Sequence, residues 1–110
     1  MLAALPTQSM AQSSPVFVLN QGIFHIQNKD YVLALEKFSK VILMDSTNST
    51  AMYYAGICNA QLNRDKDSIA FFRDAVAGGF KAYKSLATEP MLADPLKRPE
   101  FKQMLEAFLK

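Results

Sequence analysis

The chain repeats itself at an offset of 34 residues, and this self-similarity constrains its fold more than any single motif. Displacing the sequence by 34 lays Gly22 on Gly56, Ala34 on Ser68, Leu35 on Ile69, Phe38 on Phe72, Val41 on Ala75 and Ile42 on Val76. Size and apolarity are kept at these positions and charge is not, since Lys40 falls on Asp74. What repeats is therefore packing, the mark of units that bury their apolar faces against one another. Each unit holds two apolar runs parted by a polar break, Gln27 to Asp30 in the first and Asn63 to Asp65 in the second, which predicts a helical hairpin per unit.

The helices follow from local spacing. Over 31–44, Tyr31, Leu35, Phe38, Val41 and Ile42 recur every three or four residues and leave Glu36, Lys37 and Lys40 for solvent. Asp30 is the predicted N-cap, its carboxylate accepting from a free amide of the first turn. Over 49–62 the series Met52, Tyr53, Gly56, Ile57, Ala60 has the same period, with Asn48 or Ser49 as cap. Asp65 is predicted to cap a helix over 66–77, which Gly78-Gly79 ends. A glycine inside a helix costs about 0.5–1 kcal/mol relative to alanine. Its recurrence at 22 and 56 predicts a neighbouring helix too close for a side chain.

These residues resemble the tetratricopeptide repeat family, a solenoid of 34-residue helix–turn–helix units. Gly22, Tyr31, Ala34, Phe38 and Asp45 in the first unit, and Gly56, Ser68, Phe72 and Ala75 in the second, stand at family signature sites, and the match covers 15–82. Departures are Val18 and Met52 in place of a large aromatic, Gln21 for leucine, His25 and Asn59 for an aromatic or aliphatic residue, and Ser46 for proline. Gln21, His25 and Asn59 bear on how tightly each hairpin closes. The series Gly79-Phe80, Tyr83, Leu86, Pro90, Leu92, Leu96 and Pro99-Glu100-Phe101 is similar to the tail that follows the last repeat in bacterial members. The implied fold is all-α: repeats at 15–48 and 49–82, capped by a two-helix tail at 83–110 that supplies the third layer such a stack needs.

Composition agrees with one small domain. The chain has 110 residues, half of them hydrophobic, and a formal net charge of +2, which excludes a disordered chain. No stretch reaches the roughly 20 apolar residues of a membrane span. Residues 1–28 contain no Asp, Glu, Lys or Arg. Within them, Leu2 to Leu5, Pro6, and Ser9 and Ala11 at signal-peptidase spacing admit two readings. One is the end of a secretory leader, with a mature start near Gln12 and an exported or periplasmic protein; the other is a flexible tail, which leaves a cytoplasmic protein.

Catalytic and metal chemistry find little to stand on. His25 is the only histidine and has no acidic neighbour in sequence to orient it, so the expectation is no enzyme and no metal or cofactor. Cys58 sits in an apolar run and reads as a small buried hydrophobe. Lys81, Lys84, Lys97, Arg98 and Lys102 are interleaved with Glu89, Asp94, Glu100 and Glu106, which predicts a solvated surface and no nucleic-acid footprint.

In the family, the first helix of each hairpin lines a concave groove that binds peptides. Carried over, the resemblance implies a groove of Val16, Leu19, Ile23, Ile26 and Gln27 with Thr50, Tyr53, Ile57, Ala60 and Gln61, apolar and uncharged. The cationic set that clamps a C-terminal carboxylate is absent, because Leu19, Ile23 and Tyr54 hold the matching positions. The expected function is an adaptor that takes a hydrophobic or helical segment of another protein. The alternative is a subunit that self-associates through its first hairpin, giving a weak homodimer in place of a monomer.

Overall fold

The computed structural model describes residues 14–110, all of whose regular structure is helical. The expectation about the segment 1–14 lies outside the described residues, except for Ser14. Four α-helices come first: α1 (Pro15–Gln27), α2 (Tyr31–Met44), α3 (Ser49–Gln61) and α4 (Asp65–Ala77). They pack in chain order, α1 on α2, α2 on α3 and α3 on α4.

The helix starts are set by short polar side chains. The Ser14 hydroxyl accepts from the Phe17 amide (3.3 Å), with Pro15 at the first helical position. Asp30 accepts from Leu33 N (3.5 Å) and Asn48 from Ala51 N (3.0 Å), as the sequence predicts. Asp65 does not cap α4. It is the first residue of the helix, Arg64 stands at the cap position without a side-chain bond, and the Asp65 carboxylate instead takes a bidentate pair from Arg98 Nε (2.7 Å) and Nη2 (3.0 Å). The turn after α2, where Ser46 replaces proline, is held by Asp45, which accepts from Thr47 Oγ1 (2.7 Å) and Thr47 N (3.1 Å).

The 34-residue offset extends to the backbone. Lys29 and Asn63 adopt left-handed φ values of 58° and 60°, and the following amides close the same bond, Asp30 N to His25 O and Arg64 N to Asn59 O, both 2.8 Å. After α4 the same closure, Phe80 N to Ala75 O at 2.9 Å, passes through Gly79 at φ +96°.

Each hairpin is locked by its glycine. A Cβ built on Gly22 would stand 2.6 Å from the Phe38 ring of α2, and one on Gly56 would stand 2.7 Å from the Phe72 ring of α4. Both rings are fully enclosed. The close neighbour predicted from the sequence is thus a phenylalanine of the partner helix. Asn59, a polar departure, does not open its hairpin: it is buried and its amide donates to Ala55 O (2.9 Å), and Ser68 donates across the same hairpin to Gly56 O (2.7 Å).

The tail differs from the predicted pair of helices. Residues 81–97 form three 3-10 segments, Lys81–Thr88, Pro90–Leu92 and Pro95–Lys97, before a single α-helix, α5 (Pro99–Leu109). Closely spaced prolines at 90, 95 and 99 forbid a longer helix, because each removes an amide and disfavours helical geometry in the residue before it. The tail lies on the second hairpin, where Leu86, Leu92, Phe101 and Met104 join Ile57, Ala60, Ile69 and Phe72 in one buried cluster. Arg98 ties the start of α5 to α4 through Asp65 and also stands over the Phe101 ring, 5.3 Å from the centroid.

Candidate interaction site

The expected concave groove is for the most part closed. Ile57 has no exposed surface and Ala60 almost none, since Leu86, Leu92, Phe101 and Met104 of the tail cover them. Tyr53 is half-buried and stacks on Phe80 at the head of the tail, centroids 4.4 Å apart. Gln61 donates to the carbonyl of Met91. Thr50 is half-buried. On α1, Ile26 is buried with Phe38, Ala55 and Cys58, while Leu19 and Ile23 are half-buried against the same cluster. Met91 packs on both clusters.

Of the predicted groove, only Val16 and Gln27 stand open to solvent. Ile57 and Ile26 are therefore corrected from groove lining to core. Apolar side chains facing an apolar tail of the same chain bury each other, at about 25 cal/mol per Å² removed from water, without the entropy cost of capturing a separate partner.

Open apolar surface lies at the two ends of α2, at Val32, Leu33, Leu43 and Met44, and on the other side of α1. Val18, Gly22 and Ile26 carry the buried side of this helix, whereas Val16 is 68% exposed, Phe24 60% and Phe17 44%. Phe17, Asn20, Gln21, Phe24 and His25 line one depression, a stripe at helical spacing i, i+3, i+4, i+7, i+8. The Phe24 and His25 rings meet edge-on at 5.9 Å. The stripe carries no Asp, Glu, Lys or Arg, and neither does any other position of α1.

The sequence contained this signal without resolving it. Val16, Phe17, Val18, Leu19, Ile23, Phe24 and Ile26 are apolar all round the helix, so periodicity singles out no face. A second depression, between α4 and α5, is lined by Lys66, Ile69, Arg73, Glu100 and Gln103. Its charges are of mixed sign and select no ligand class.

Among curated proteins, the chain is similar to a chloroplastic protein of Arabidopsis thaliana, 27% identical over 93 residues that cover 82% of this chain and 28% of the relative. The chain thus spans little more than a quarter of that relative's length. No protein-family model matches it, and no solved structure does.

Among the described residues, no three His, Cys, Asp or Glu side chains gather where they would hold a metal ion, and no helix is long and apolar enough to cross a membrane. Of their titrating groups, Asp45 is held below its ordinary value by the bonds it accepts from the Thr47 side chain and amide, and two are perturbed by packing. Burial pushes the Cys58 thiol up to about 12, and burial, then the charge of Glu89, pushes Tyr53 up to about 12. Cys58 is accordingly an unreactive thiol in the folded protein.

Both groups hold their protons longer in the folded chain than at their ordinary values of 9.0 and 10.0. Their contribution to stability is full below pH 9 and falls as pH rises from there towards 12. Urea midpoints measured from pH 9 to 12 are expected to drop, and Cys58→Ala with Tyr53→Phe to flatten the drop; an unchanged slope would place both groups in contact with water.

Proposed function

We propose that the chain is a non-catalytic interaction module of the tetratricopeptide type, with units at 15–48 and 49–82 and a closing tail at 83–110. On this reading the docking face is the stripe Phe17, Gln21, Phe24 of α1, flanked by Val16 and Asn20, and not the concave groove. It takes an uncharged helix with apolar anchors two turns apart. The observation that carries the reading is the exposure of Val16, Phe17 and Phe24 on a helix without a charged residue. A helix bearing net charge gains nothing there, because the face offers no counter-charge.

The test uses a fluorescent peptide with the sequence of residues 14–28 as a defined uncharged apolar helix, titrated with the full chain and followed by anisotropy. Saturable binding is expected, on the order of micromolar. Phe17→Ser with Phe24→Ser in the protein removes roughly 50 Å² of apolar contact per ring, about 2–3 kcal/mol together, or roughly 30–150-fold in Kd. Both rings are largely outside the core, so far-UV circular dichroism is expected to be unchanged. Equal binding by the double variant would refute the assignment of the face.

A further inference from the structure

We infer that the open face of α1 is a helix-stacking face, and that its occupant is an amphipathic helix of a separate protein seated as α2 is seated on α3. The inference rests on the docking reading above and gives the partner its shape and register. The 34-residue offset lays Phe17, Gln21 and Phe24 on Ala51, Ala55 and Cys58 of α3. None of those three has any exposed surface. α2 closes them: Ala55 and Cys58 share a buried cluster with Ala34 and Phe38, Ala51 shares one with Val41, and Phe38 stacks on Tyr54 with ring centroids 5.1 Å apart. The molecule thus carries the same face twice, once covered and once open, and the covered copy indicates what the open one takes. The exposed apolar residues of α2 belong to no such face. At the same offset Val32, Leu33, Leu43 and Met44 fall on Lys66, Asp67, Ala77 and Gly78, which the second unit also leaves open to solvent.

Side-chain size then sets the shape of the occupant. Across the offset, bulk moves from the middle of the face to its ends: Phe17 and Phe24 replace Ala51 and Cys58, and Asn20 replaces Tyr54. A helix in the seat of α2 meets Phe17 where α3 offers Ala51 to the Val41 cluster, so it carries a smaller residue at that point. Its charges stay on its far side, as Glu36 and Lys40 of α2 stay exposed, which suits a face without counter-charge. Two nearer sources do not supply such a helix. In another copy of this chain Ala34, Phe38 and Val41 are already fully enclosed. Residues 1–10 stand to α1 as 35–44 stand to α3, but have Ala4, Thr7 and Gln8 where α2 has Phe38, Val41 and Ile42, and Pro6 in place of Lys40. The pattern of α2 is not repeated ahead of α1, and the helix comes from a different polypeptide.

The probe is a capped fluorescent peptide of residues 30–44, in which Asp30 and Glu36 balance Lys37 and Lys40, made as the parent and with Val41→Ala. Both are titrated with the full chain and followed by anisotropy. The Val41→Ala peptide is expected to bind roughly fivefold more tightly than the parent, and more tightly than the 14–28 peptide. Phe17→Ala gives the protein the alanine that α3 has at position 51, at a site outside the core. In that variant the preference is expected to reverse by roughly the same factor, because the valine methyls fill space the ring has left. A benzophenone side chain at position 20, the counterpart of Tyr54, reads the register, and its crosslink is expected to centre on peptide residue 38. A preference that does not reverse, or a crosslink spread along the peptide, overturns the seating, while the 14–28 peptide tests the docking reading separately. Failure of every peptide to bind overturns both, as does a crosslink to residues 1–13 of the same chain. A crosslink to α1 of another copy overturns the separate partner and leaves the face.

Discussion

Gly56→Ala is expected to destabilise the fold by about 1–3 kcal/mol, against the usual sense of that substitution in a helix. Inside α3 the exchange alone would gain about 0.5–1 kcal/mol, because alanine loses less backbone entropy. The surroundings reverse the sign. The new Cβ would lie 2.7 Å from Phe72, a distance no packed methyl group tolerates. The Phe72 ring has no room to swing, being 1% exposed and enclosed by Ile57, Leu86 and Phe101 of its cluster. Gly22→Ala meets Phe38 at 2.6 Å and behaves alike.

Trimming the ring tests the mechanism. Phe72→Leu alone leaves a cavity and costs about 1–3 kcal/mol, but in that background Gly56→Ala fills space and its cost shrinks or changes sign. Urea unfolding of the four proteins of this cycle is expected to give a coupling of about 1 kcal/mol or more. Additive effects would mean that Gly56 is required for some reason other than the ring.

These contacts show which parts of the fold were legible in the sequence. The glycines, the caps Asp30 and Asn48, the stop at Gly79 and the start at Pro99 depend on residues within a turn or so of each other, or on a repeat that displays its own partner. Asp65 looked like a further cap because its partner Arg98 lies 33 residues away and no local pattern joins them. The left-handed turns at Lys29 and Asn63 were hidden because neither residue is glycine and the two are chemically unlike, although their backbones repeat at the same offset.

The candidate site was less legible than the fold for a physical reason. An apolar stripe on α3 and an apolar tail each look like docking surfaces in isolation; only their juxtaposition shows that Ile57 and Leu92 satisfy one another. α1 posed the opposite difficulty. It is apolar on every side, and packing alone separates Val18 and Ile26, which are core, from Phe17 and Phe24, which are not.

Deleting residues 81–110 is expected to abolish cooperative folding instead of exposing a peptide groove. The tail contributes Leu86, Leu92, Phe101 and Met104, all fully buried against the second hairpin. At about 1.5–3 kcal/mol per buried side chain, their loss is comparable to the whole stability of a small domain, about 5–15 kcal/mol. It also leaves Ile57, Ala60, Ile69 and Phe72 of the second hairpin without the side chains that cover them.

The ion pair is a minor part of this attachment. Asp65 and Arg98 remain about a third exposed, and their bidentate contact is worth about 1 kcal/mol, enough to set where α5 starts but not to hold the tail. Arg98→Ala therefore keeps a sharp, slightly earlier thermal transition by circular dichroism, whereas the shortened chain shows a broad one with reduced helix. If the shortened chain instead melted sharply and bound an apolar peptide through Tyr53, Ile57 and Gln61, the tail would be a displaceable strap and the concave face of α3 the true docking site.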